Sequence, residues 1–134
     1  MTRVLIHEPH PEVRAFLVRL IEHLGYEAVI CGLEVEAPDG EILFLDTGSD
    51  AALELARTLR RAIPSLPLVC AGNELPSDGV LALEPVAVLV KPFTVVECER
   101  ALERAGRSRP RACREMSLLL HSRRSIKSAR FGGV

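Results

Sequence analysis

The first hundred residues switch repeatedly between two hydrophobic periods. Val4 to Ile6 is a short apolar run, and after the break at His7-Glu8-Pro9-His10 the spacing becomes helical. Val13, Phe16, Leu17, Leu20, Ile21 and Leu24 recur at three- and four-residue intervals, with Pro11 in the first turn and Gly25 just past the last. Tyr26 to Cys31 reads as a second strand and Gly32 to Gly40 as connection. Ile42 to Leu45 is continuously apolar, the pattern of a strand covered on both faces, and it stops at Asp46.

Ala52, Leu55, Ala56, Leu59, Ala62 and Ile63 form the next helical stripe, ended by Pro64. Pro67 to Cys70 reads as a strand running into the small residues Ala71 and Gly72. Only a weak helix around Val80 to Leu83 fits the Pro-containing stretch that follows. Val86 to Val90 is a last strand, closed by Lys91-Pro92-Phe93. Thr94 and Glu97 then form a capping box for a helix with Val95, Cys98, Leu102 and Ala105 on one face. This alternation predicts a three-layer α/β/α sandwich around a parallel five-stranded sheet.

Charge divides the chain in two. Residues 1–106 carry 9 Lys+Arg against 17 Asp+Glu, net −8, whereas residues 107–134 carry 8 against 1, net +7. The expected organisation is therefore one domain over 1–106 and a basic, flexible C-terminal tail over 107–134. The expectation for the tail is a disordered segment against the acidic body, favoured over nucleic-acid binding through charge because it has no helix-turn-helix pattern and only one aromatic, Phe131, for stacking. The four cysteines, Cys31, Cys70, Cys98 and Cys113, lie far apart without a CxxC or Cys/His cluster, which argues against a zinc site or a disulfide scaffold. With no signal-type or membrane-spanning run, the expected location is cytoplasmic. A small enzyme is the weakest functional class, since no Ser/His or Cys/His pair and no glycine-rich phosphate loop appears.

In open parallel sheets, ligands bind beyond the carboxyl ends of the strands. Those ends carry Glu8, Asp46, Ala71 or Gly72, and Lys91. Two carboxylates suit a hydrated Mg2+ ion, an ammonium suits phosphoryl oxygens, and an aspartate is a competent nucleophile toward phosphorus. Bland readings of the same residues are a capping Asp46, a solvated Glu8, a Lys91 that only pairs with Asp46, and His7 and His10 as capping or solvent-exposed residues.

The segments Arg3-Val-Leu-Ile-His-Glu-Pro-His-Pro-Glu-Val-Arg14, Ile-Leu-Phe-Leu-Asp46 and Val-Leu-Val-Lys-Pro-Phe93 resemble the three signature segments of response regulator receiver domains. The resemblance spans residues 3 to about 105 and implies a flavodoxin-like topology with shortened second and fourth helices. It also implies Asp46 as phosphoacceptor, Lys91 as the phosphoryl-binding residue, and weak Mg2+ binding by Glu8, Asp46 and the Gly48 backbone carbonyl. The partners it implies are a histidine kinase or a downstream effector.

The departures from the family pattern are specific. Registering Pro11-Glu12-Val13 on the pattern makes Glu8 the first of the two expected acids and Pro9 the second, and a one-residue slip makes His7 and Glu8 the pair. The Thr or Ser expected after the fourth strand is Ala71 or Gly72, and the aromatic three residues before the lysine is Val88. Together these point to a signalling module that binds partner proteins while phosphorylation at Asp46 is impaired or absent. The alternatives are a conventional Mg2+-dependent phosphoacceptor and an accessory nucleic-acid binder.

Overall fold

Every strand of the fold is parallel to its neighbours, in the order β2-β1-β3-β4-β5. The computed structural model describes residues 2–32 and 41–108. Its elements are β1 (Arg3–His7), α1 (Pro11–His23), β2 (Glu27–Ile30), β3 (Ile42–Asp46), α2 (Asp50–Ala62), β4 (Leu68–Gly72), α3 (Asp78–Leu81), β5 (Ala87–Val90) and α4 (Val95–Ser108). Strand order reverses between β1 and β3, which places the switch point at their carboxyl ends.

The two-residue alternation of each strand sends side chains to two separate cores. Val4, Ile6, Ile42, Phe44, Val69, Ala71 and Leu89 pack under α1 and α4, while Leu5, Leu43, Leu45, Leu68 and Cys70 pack under α2 and α3. Strands buried on both faces must read as continuous apolar runs, as Ile42 to Leu45 does.

Local chemistry sets the element ends. Gly25 takes φ +95°, and its N–H and that of Tyr26 donate to Glu22 and Ile21 carbonyls, the paired bonds that close α1. Ser49 caps α2 by accepting from the Ala52 N–H at 3.1 Å. The Thr94–Glu97 capping box forms as read, with Glu97 N–H donating to Thr94 Oγ1 and Thr94 N–H to Glu97 Oε1, both at 3.1 Å. The guanidinium of Arg60 donates to the carbonyls of Leu66 and Leu83, tying the loop before β4 to the loop before β5.

The expected elements are present with small shifts of boundary. Asp46 and Gly72 are the last residues of their strands, each having a ladder partner or close neighbour that extends the run beyond its apolar part. α3 is one turn long, in line with the shortened fourth helix. The shortened second helix belongs to the connection between β2 and β3, of which residues 33–40 lie outside the described residues. α4 continues two residues past the boundary expected at 106, because Ala105 is still fully buried and its turn completes at Ser108. The basic tail beyond it lies outside the described residues. Among the described residues no helix is long and apolar enough to cross a membrane.

Candidate functional site

Glu8 follows β1, Asp46 ends β3 and Lys91 follows β5, so the parallel sheet delivers all three to one edge. They also share a face. Glu8 continues the alternation of Val4 and Ile6, Asp46 that of Ile42 and Phe44, and Lys91 that of Leu89, and all of those residues belong to the core beneath α1 and α4. Lys91 is held by its own N–H, which donates to the Gly72 carbonyl at 2.8 Å, and the Lys91-Pro92 peptide bond that follows is cis. Two residues on, Phe93 sets its ring against the buried Phe44 ring, with centroids 6.0 Å apart.

The Lys91 ammonium donates to both Glu8 carboxylate oxygens at 3.1 Å and lies 3.6 Å from Asp46 Oδ2. The Glu8 side chain is only 2% exposed, against 17% for Lys91 and 16% for Asp46. Burial pushes the Glu8 carboxyl above its ordinary range; the Lys91 hydrogen bonds oppose that shift and the adjoining Asp46 carboxylate adds to it. Asp46 Oδ1 accepts from the Gly48 N–H at 3.2 Å, so Asp46 organises its own loop while Oδ2 faces the lysine.

Two of the bland readings are overturned. Glu8 is not a solvated loop carboxylate, because it is 3% exposed and held by Lys91. Lys91 pairs with Asp46 as in its bland reading, and Glu8 is a nearer and bidentate second partner. His7 is neither a cap nor solvent-exposed: it is buried, with Nδ1 3.1 Å from the Cys31 carbonyl. It ends β1 with its ring turned to Cys31, so it does not join Glu8 and Asp46 around Lys91. His10 precedes α1 without a side-chain capping bond.

Mg2+ accepts one or two carboxylates with waters and phosphate oxygens completing an octahedron, and Glu8, Asp46 and the Gly48 carbonyl fit that minimal set. The fit is a weak one: among the described residues no three His, Cys, Asp or Glu side chains gather to hold a metal, and an ammonium already sits between the two carboxylates.

No protein-family model and no curated protein matches this sequence. Solved structures do. The signal receiver domain of a modulated diguanylate cyclase from Desulfovibrio desulfuricans G20 is 24% identical, with TM-score 0.66 over 78% of this chain and 93% of that one. The chemotaxis protein CheY4 of Vibrio cholerae is 18% identical, with TM-score 0.69 over 78% and 98%. The response regulator TrrA of Thermotoga maritima, solved in complex with Mg(2+)-BeF, is 19% identical, with TM-score 0.67 over 78% and 99%. The chain has the receiver fold.

Within the receiver fold, one residue beside Asp46 escaped the sequence reading. Thr47 Oγ1 lies 3.3 Å from the Ala71 carbonyl, and a Cβ built on Gly72 would meet that oxygen at 2.8 Å. Asp46, Thr47, Gly48 and Gly72 line a cavity of about 380 Å3 together with Asn73, Glu74 and Ser77. The signal was the pairing of a glycine with a threonine across two strand ends, which is visible only once the register Asp46 to Ala71 is known. Val88 packs partly buried on the α2 and α3 side, so no aromatic stands at that position.

Proposed function

We propose that this chain is a signalling module of the two-component kind, working by binding partner proteins, with Asp46 an impaired phosphoacceptor. The likeness to receiver structures supports the class, and one observation carries the finer reading. Lys91 closes on Glu8 and Asp46 as an ion cluster, while the neighbouring acidic position is Pro9, which has no ligand atom.

The chemistry open to the cluster is phosphoryl transfer. An Asp46 carboxylate oxygen attacks phosphorus, the donor's bond to phosphorus breaks with its electron pair leaving on the donor, and an acyl phosphate results. Lys91 then exchanges part of its hold on the carboxylates for the phosphoryl oxygens as a point charge. Bound at Glu8, Asp46 and the Gly48 carbonyl, Mg2+ would supply charge neutralisation. Partners of this module are a histidine kinase or a downstream effector, and its place is the cytoplasm. A conventional phosphoacceptor is the second reading, favoured by the two carboxylates and lysine converging at one sheet edge.

The test is phosphoramidate with excess Mg2+, read by intact mass. Slow, partial incorporation that disappears in Asp46→Asn is the expected result. Rapid and complete incorporation would establish the conventional reading, and incorporation unaffected by Asp46→Asn would remove Asp46 from the site.

A further inference from the structure

β4, the strand beside β3, ends in Ala71 and Gly72, which have no hydroxyl to offer a tetrahedral oxyanion on Asp46. The space is not vacant. The Thr47 hydroxyl reaches across from the end of β3 and lies 2.8 Å from where a Gly72 Cβ would be, so it stands where a β4 side chain would begin. Any side chain at 72 would have to displace it, which gives Gly72 a reason in packing.

That hydroxyl is weakly committed. The Ala71 carbonyl already accepts the Thr47 N–H at 2.9 Å, and the Oγ1 contact to the same oxygen is 3.3 Å. Hydroxyl hydrogen bonds cluster near 2.7–2.8 Å, so this one is loose and its proton is free to turn toward another acceptor. The other hydroxyl on the cavity wall, Ser77 Oγ, is engaged as the N-cap of α3 and accepts from Val80 N–H. Thr47 lines the cavity next to Asp46.

We propose that the Thr47 hydroxyl is the donor to phosphoryl-type oxygens at Asp46, moved from β4 to the residue after the acceptor. The proposal rests on the reading of Asp46 as a phosphoryl site. It also relocates the impairment of that site: the missing element is the second acid at Pro9, and the hydroxyl is retained.

The probe is beryllofluoride at saturating Mg2+, followed by amide chemical shifts, with thermal unfolding of each variant alongside. Thr47→Val keeps the shape that fills the Gly72 gap and removes only the hydroxyl. It should weaken beryllofluoride about tenfold or more, as expected for a hydrogen bond to a charged group, at unchanged stability. Thr47→Ser should bind within a few-fold of wild type. Thr47→Ala/Gly72→Ser, which returns a hydroxyl to β4, should regain affinity over Thr47→Ala alone, and this pair decides the matter if Thr47→Val does not fold. Equal affinity of wild type and Thr47→Val would overturn the role of Thr47 while leaving the Asp46 site standing. Loss in Thr47→Ser with none in Thr47→Val would reduce it to methyl packing. No binding by wild type would overturn the phosphoryl site itself, and this inference with it.

Discussion

Lys91 Nζ sits 3.1 Å from each carboxylate oxygen of Glu8, a residue 83 positions away in sequence and almost fully buried. Asp46 is the third member, at 3.6 Å. A buried acid beside a second acid is tolerable only while the ammonium stays, so the cluster costs stability when one partner is removed.

Lys91→Met should therefore destabilise the protein by about 3 kcal/mol, in the range found when a buried pair loses one member. Adding Glu8→Gln should restore much of that loss, because the variant no longer buries an uncompensated carboxylate there. Urea unfolding of the two single variants and the double variant measures the coupling. Strict additivity would show that the two residues do not act as a pair.

Two thiols give a pH dependence of known sign. Burial pushes Cys70 and Cys98 from 9.0 up to about 11, with Arg60 slightly opposing the shift at Cys70. An unfolded chain ionises these thiols first, so their contribution is fully present below pH 9 and is lost as pH rises through 11. The loss is on the order of 2–3 kcal/mol per thiol, from two units at 1.36 kcal/mol each. Cys70→Ala should flatten the fall in urea midpoint between those pH values, and an unchanged slope would remove Cys70 as its source.

The basic tail should be separable from the body. The described core ends at Ala105 and α4 at Ser108, so a chain cut after Ser108 should unfold in one cooperative transition at the same urea midpoint as the full chain. Loss of cooperativity would place part of the core in residues 109–134.

The fold was legible because its signals are local. Continuous apolar runs at Val4 to Ile6 and Ile42 to Leu45, the stripe from Val13 to Leu24 and the Thr94–Glu97 box each report one element without knowledge of the others. The convergence of Glu8, Asp46 and Lys91 followed from their strand-end positions. Who pairs with whom was not legible. Burial of Glu8, its bidentate hold by Lys91 and the escape of His7 to the other face depend on sheet register and on neighbours more than twenty residues distant. Thr47 was hidden for the same reason: its meaning lies in the absent side chain of Gly72 on the next strand.

The central claim is that this receiver-fold site is weakened at one position, the proline beside Glu8. A Mg2+ titration followed by amide chemical shifts, comparing wild type with Pro9→Asp, tests it most directly. The added carboxylate supplies the second acid and enough charge to compete with Lys91, so Pro9→Asp should bind Mg2+ about tenfold or more tightly than wild type. Wild-type binding as tight as that of Pro9→Asp would contradict the account.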